Sequence, residues 1–411
     1  GAAINPFTGS FDGEGHTITG LTIDRPNEFD VGLFGRLKGA TLRNVTLVNV
    51  TVTGNANVGG LVGGTSASNR SSQIRNVTVS GTVNATEESA GGVVGINTAT
   101  IANASASVDV TGDQNVGGLV GISDGTADDP ATVTDASASG TVTGTGTGSD
   151  AVGGLIGKNS GTVTNATASG NVNATRSNSV GGLVGINENS GIVTNANASG
   201  SVIGSDTVGG LVGENTGTIQ RASASGSVNA TGADDERSLP GGSVGGLVGA
   251  NFGGTIRNVS AFGSVDGIDS VGGLVGRNGE DGSLTDTFAV GPVSGNNDVG
   301  GLAGSTSDSG NVTDSYFDEQ ETNQSESAGN ATGLTTAKMQ GSAARQNMDL
   351  AFGETWQTQT DPADYPVLIS LQQGTEPEQQ PTTFEISALD PQDATVNVSE
   401  AFDVSATVEN T

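Results

Sequence analysis

A six-residue phrase, Val-Gly-Gly-Leu-Val-Gly, returns along this chain at nearly constant intervals. It begins at Val31 (in the shorter form VGLFG), Val58, Ala90, Val116, Val152, Val180, Val208, Val244, Val271 and Val299. Most steps are 26 to 28 residues, and the longer steps hold insertions such as "DGTADDPA" after Ser123 and "GADDERSLPGGS" after Thr231. A fixed period with insertions at particular points is the mark of a solenoid, in which each unit buries its apolar face only against its neighbours. A single round core is disfavoured independently. Of 411 residues, 68 are glycine and only 3% are aromatic, too few large side chains to fill one.

Each repeat has a second half of clear alternation, as in "TNATASGNVNA" (164–174) and "TNANASGSVIG" (194–204). Ala166, Ala168, Gly170 and Val172 fall on one side, and Thr167, Ser169 and Asn171 on the other. That is period two, hence strand, and glycine is too dense for helix. One coil therefore reads as strand, turn, strand, turn, short strand, turn. Coils stacked in parallel at about 4.8 Å would make about ten turns of an all-β, parallel β-helix, a rod of roughly 50 Å. It would be right-handed by the usual chirality of parallel crossovers. The motif valines and leucines would point inward, the glycines would permit bends and close backbone approach, and the Ala/Gly strand would imply a narrow interior.

A polar residue recurs just before the Ala-x-Ala strand: Asn44, Asn76, Asn103, Asp135, Asn165, Asn195, Asn258, Asp286 and Asp314, with Arg221 breaking the series. Asn and Asp tolerate left-handed turns, and stacked copies predict an amide ladder through Asn44, Asn76, Asn103, Asn165, Asn195 and Asn258. Five of these open Asn-x-Ser/Thr sequons: Asn44, Asn76, Asn103, Asn165 and Asn258. A second set, Asn84, Asn173 and Asn229, all Asn-Ala-Thr, sits at a different corner. An amide committed to a ladder is a poor glycan acceptor, so Asn84, Asn173 and Asn229 are the glycosylation candidates. Sequons also arise by chance in a chain so rich in Asn, Ser and Thr.

The VGGLVG-x-N-x-G units resemble GLUG repeats. The stretch "NPFTGSFDGEGHTITGLTI" (5–23) is similar to the segment that leads into such repeats. "DSYFDEQETN" (314–323), "GLTTAKMQ" (333–340) and "YPVLISL" (365–371) are similar to the segment that closes them. The resemblance implies a β-helical region of large secreted or cell-surface proteins of archaea and bacteria. It implies no single activity. On this reading residues 1–30 form an N-terminal cap, 31–312 the GLUG-repeat β-helix, 313–372 a C-terminal cap and 373–383 a linker. Residues 384–411 resemble the first strands of an Ig-like β-sandwich. Such a fragment needs completion, either by continuation of the chain or by a strand donated from a neighbour, for which residues 1–6 are one option.

The charge balance narrows the functional classes. Asp and Glu number 44 against 14 Lys and Arg, a net charge of −30, with lysine only at Lys38, Lys158 and Lys338. Such a surface repels nucleic acid and anionic lipid and suits high salt. An ordinary acidic secreted protein is the plainer alternative. There is no cysteine, hence no disulfide and no thiolate metal site. No apolar run approaches the roughly 20 residues of a membrane span. The one histidine, His16, lies near Asp12 and Glu14, but its place in the leading segment marks it as structural rather than catalytic. An HExxH zinc site needs two histidines. Asp-rich insertions at 124–129, 232–238 and 279–283 are solvated loops first, and loose calcium sites second. Carbohydrate-active β-helices need aromatic sugar platforms, and here Trp356, Tyr316 and Tyr365 are few and lie in the closing segment. The expectation is a non-enzymatic, extracellular structural or adhesive rod without a cofactor. Its partners would be other copies of itself, surface components or glycans. A self-assembling filament subunit is the first rival, and a carbohydrate-active enzyme the second.

Overall fold

A computed structural model of the chain describes residues 5–66, 72–125, 130–147, 150–232 and 242–372. The linker, the Ig-like strands and residues 1–4 lie outside these. The described chain is all-β, a parallel β-solenoid of ten coils. The coil count is plainest in a ten-stranded sheet built from Phe34–Leu37, Val62–Thr65, Val94–Asn97, Val120–Ser123, Ile156–Asn159, Val184–Asn187, Val212–Asn215, Val248–Asn251, Val275–Asn278 and Ala303–Thr306. These strands stack in strict chain order. A second sheet of 28 strands wraps the rest of each coil. Every ladder in both sheets is parallel, and apart from register shifts at Arg25/Phe29 and Leu47/Val50 in the first coils the coils stack in register, so that Val163 pairs with Val193 and Val193 with Ile219.

A central coil has four short strands, one more than the sequence suggests. In one coil they are Ala151–Gly153, Ile156–Asn159, Thr162–Ala168 and Val172–Ala174. The extra strand comes from the hexapeptide, which is no single strand. Ser179–Gly181 and Val184–Asn187 are separate strands in different sheets, with a corner at Gly182 and Leu183. At that corner the Leu211 carbonyl of the next coil accepts from both Leu183 N–H (2.8 Å) and Val184 N–H (2.9 Å). One carbonyl thus serves two donors where the chain changes direction, and neither amide is left dry.

The inward valines form the expected column. Val116, Val152, Val180, Val208, Val244, Val271 and Val299 pair in succession. A single apolar cluster runs from Val31 to Phe317 through all ten coils. The narrow interior also has an account. An added Cβ on Gly154, Gly182, Gly210 or Gly246 would come within 3.2 Å of the Cβ of Ala168, Ala198, Ala224 or Ala261 respectively. The small residues of the hexapeptide and of the Ala-x-Ala strand meet across the coil, and each requires the other to be small.

The closing segment divides in two. Residues 319–334 seal the last coil: Val293 N–H donates to Thr322 O, Gly301 N–H to Glu326 O and Ala328 N–H to Ala303 O. Beyond them the chain does not cap the end. It carries the helices Thr336–Met339, Gly341–Asn347 and Ile369–Gln372 back along the flank, and the last touches Ile192–Ala198 and Thr218–Ala224. Trp356 is fully buried there, and its indole N–H donates to Asn258 Oδ1 at 3.2 Å. Phe262, Phe288 and Tyr365 pack around it, with Phe288 5.3 Å from Trp356 and Phe262 5.7 Å from Phe288, ring centre to ring centre.

Candidate functional faces of the solenoid

Three columns of side chains run along the rod, and they bound what its surface can do. The first is the predicted turn column. All ten of its members, from Asn44 to Asp314 and including Arg221, take left-handed backbone with φ between 45° and 56°. Arg221 therefore does not break the turn, although arginine seldom adopts this conformation. It keeps the polarity of the ladder and heads one of its runs, since a guanidinium donates to the coil before it and cannot accept from the coil after. Each asparagine donates from Nδ2 to the coil before it: Asn103 to Asn76 (3.0 Å), Asn76 to Asn44 (3.0 Å), and Asn44 to the Asp12 carboxylate (2.9 Å). A second run goes from Arg221 Nε to Asn195 (3.1 Å), on to Asn165 (3.2 Å) and then to Asp135 (2.9 Å). Each run ends at an acceptor-only carboxylate, and the second begins at a donor-only guanidinium. Asn258 does not join. Its Oδ1 is taken by Trp356.

The second column was missed by the sequence reading, although its signal lay in the motif itself, at the Asn two residues after the last glycine of VGGLVG. Asn97, Asn159, Asn187, Asn215, Asn251 and Asn278 are all completely buried. Here Nδ2 donates the other way, to the coil that follows: Asn159 to Asn187 (2.9 Å), Asn187 to Asn215 (2.8 Å), Asn215 to Asn251 (2.8 Å) and Asn251 to Asn278 (2.9 Å). The other Nδ2 proton closes a local turn, as from Asn159 to Gly161 O at 3.1 Å, and Oδ1 accepts Gly161 N–H. Every amide atom is satisfied in a dry site, the condition under which a buried polar chain stabilises and fixes register. Ser123 and Thr306 stand in the same register. Ser123 Oγ accepts a 3.5 Å bond from Asn97, while Thr306 Oγ1 is buried without a partner.

The third column lies at the end of the outer short strand. Thr53, Asn84, Thr111, Thr143, Asn173, Ile203, Asn229, Asp266 and Ser294 succeed one another in register. Asn84, Asn173 and Asn229, separated by scores of residues in sequence, thus share one line. All three are exposed, between buried neighbours.

The remaining candidate residues are not drawn together. His16 is exposed, and its Nδ1 lies 3.1 Å from Gly13 O, a turn contact. Asp12 is occupied by Glu14 N–H, Asn44 and Arg43, which hold its carboxyl below the usual range. Of the Asp-rich insertions, 126–129 and 233–238 lie outside the described residues. In 279–283, Asp281 N–H binds Ser309 Oγ (3.1 Å). Among the described residues no three acidic or histidine side chains gather in a metal-holding group, and no helix is long and apolar enough to cross a membrane.

Charge is uneven along the chain. Residues 1–75 hold six basic and five acidic residues, whereas residues 76–411 hold eight and 39. Three of the four ion pairs among the described residues lie at the start: Arg25–Glu28, Arg36–Asp30 and Arg43–Asp12; the fourth is Lys158–Glu188. Elsewhere burial lifts the carboxyls of Asp206, Glu214 and Asp286 above their ordinary values, with Glu188 adding to the effect at Glu214, and Asp314 and Asp349 at Asp286. A raised folded-state value means that the fold binds the proton more tightly than the unfolded chain. These three groups therefore favour the folded state at acid pH, and that contribution is lost as pH rises through their raised values.

Coil geometry, corner hexapeptide and buried Asn column together make a parallel β-solenoid, and its repeats carry the GLUG motif. The family model for the GLUG motif matches residues 54–84, 86–111, 112–143, 148–173, 177–203 and 240–266. The chain is also similar to halomucin of Haloquadratum walsbyi (strain DSM 16790 / HBSQ001), with 40% identity over 410 residues, 98% of this chain but 3% of that protein. The chain thus spans a small fraction of that relative's length. No solved structure matches it.

Proposed function

We propose that this region is a non-enzymatic, extracellular structural rod, which sets distance and stiffness at a cell surface and contacts other copies or surface components along its sides. The observation that carries this reading is the single apolar core through all ten coils, sheathed by outward Ser, Thr, Asn and Asp. Such an object is stiff along its axis. Burial of Trp356, which removes it as a sugar platform, also favours a passive role over carbohydrate chemistry. Similarity to a protein named as a mucin supports the location.

The test is an exchange. In the native protein, residues 31–312 are replaced by an unrelated solenoid of equal length, or deleted, and an epitope placed after Gln372 is probed on intact cells. The exchange should leave the epitope accessible and the deletion should hide it. An exchange that fails as the deletion does, or a deletion without effect, would overturn the reading.

A further inference from the structure

We propose that the strand-end column is a glycosylated face of the rod, with oligosaccharides on Asn84, Asn173 and Asn229, and that the sequons of the turn column stay bare. The two groups of sequons are chemically alike, so sequence alone cannot rank them firmly. Their surroundings differ at the atom that reacts. In N-glycosylation a phosphate-activated oligosaccharide donor is attacked by the asparagine Nδ2. The bond from the sugar's anomeric carbon to the phosphate oxygen breaks, the carbon–Nδ2 bond forms, the amide gives up one proton, and the phosphate leaves with its carrier. In the turn column Nδ2 is the ladder donor: Asn44 to Asp12, Asn76 to Asn44, Asn103 to Asn76 and Asn165 to Asp135. Its backbone is left-handed, with φ of 52° to 54° at these residues and at Asn258, and the next side chain is stacked one coil away, about 4.8 Å. A sugar there would break a bond and crowd the stack.

In the strand-end column nothing competes. Asn84, Asn173 and Asn229 lie in the strands Gln73–Ala85, Val172–Ala174 and Val228–Ala230. Their side chains form no hydrogen bond among the described residues. The buried residues on either side, Val83 and Ala85, Val172 and Ala174, Val228 and Ala230, fix each asparagine outward. The register also spaces them. Thr111 and Thr143 stand between Asn84 and Asn173, and Ile203 between Asn173 and Asn229. The gaps are three and two coils, about 14 and 10 Å, so no two glycans would sit on adjacent coils. The result is a sugared edge set apart from the bare turn column.

The proposal requires the chain to meet a glycosylating enzyme, and so it rests on the extracellular reading. The test is peptide mass spectrometry on the protein purified from its native cells, beside the Asn84→Gln/Asn173→Gln/Asn229→Gln triple variant and Asn165→Gln. Expected are glycopeptides at all three positions, none at Asn44, Asn76, Asn103, Asn165 or Asn258, and a loss of three glycans of intact mass in the triple variant only. Glycans on the turn column with the three positions bare would overturn the proposal and leave the extracellular reading standing. Protein free of glycan at Asn84, Asn173 and Asn229 and at the five turn-column sequons would overturn it as well, and the exchange experiment would then judge location separately.

Discussion

Replacing Gly182 by valine is expected to cost about 4 kcal/mol or more, enough to lower the melting temperature sharply or prevent folding. A Cβ at residue 182 would lie 2.1 Å from the Gly210 carbonyl oxygen, a contact with the backbone of the next coil. That atom is main chain at the corner between Thr207–Gly209 and Val212–Asn215, and it cannot swing away as a side chain would. Val180 and Val184, on either side, are already fully buried, so nothing on the near side gives room. The comparison is Gly64→Ala, where the nearest atom to a new Cβ is an Asp30 carboxylate oxygen at 3.3 Å. This variant should stay within about 1 kcal/mol of the parent, because the nearest neighbour is the end of a side chain that can give by a few tenths of an ångström. Thermal melts of the two variants decide the matter. Equal melting temperatures would mean that the glycines are not there for backbone approach.

The second large effect is expected at the buried amide column. Asn215→Ala removes the acceptor of Asn187 Nδ2 and the donor to Asn251 Oδ1 and Gly217 O. Water cannot reach a fully buried site to replace them, and unsatisfied buried groups cost roughly 1–3 kcal/mol each. A loss of about 3 kcal/mol is expected, allowing for the bond that Asn187 keeps to Gly191 O. Asn165→Gly in the exposed column keeps the left-handed turn available and lets water take the ladder's place, and should lose less than about 1 kcal/mol. Denaturation of the two variants measures the difference. A larger loss at Asn165 than at Asn215 would reverse the assignment of which column supports the fold.

The period of the hexapeptide disclosed the solenoid because it reports a contact every coil must make. The turn column was legible for a similar reason, since Asn and Asp are the common non-glycine residues at φ near 50°. Arg221 misled because its side chain argued against a conformation that the stacked neighbours impose. The buried column of Asn159, Asn187, Asn215 and Asn251 was not legible locally, because its partners are copies of itself about 27 to 36 residues away. The sideways path of the closing segment was not legible, because the acceptor of Trp356 lies 98 residues back. Alignment of Asn84, Asn173 and Asn229 was implicit in the repeat, but it needed the register to become a face.

The account holds that charge-free contacts, stacked backbone, small apolar residues and amides, support the rod, while its acidic shell works against it. Net charge is −30, and coils about 4.8 Å apart bring carboxylates of neighbouring turns, such as Asp286 and Asp314, within the screening length of about 10 Å at 0.1 M salt. At about 2 M that length falls below the coil spacing. The most direct measurement is the thermal unfolding midpoint of the whole chain in about 0.1 M and about 2 M KCl, the concentrations being set by those screening lengths. The account predicts a midpoint higher by several degrees in the concentrated salt. A midpoint that is flat or falls would contradict it, and with it the view of this rod as built for a saline exterior.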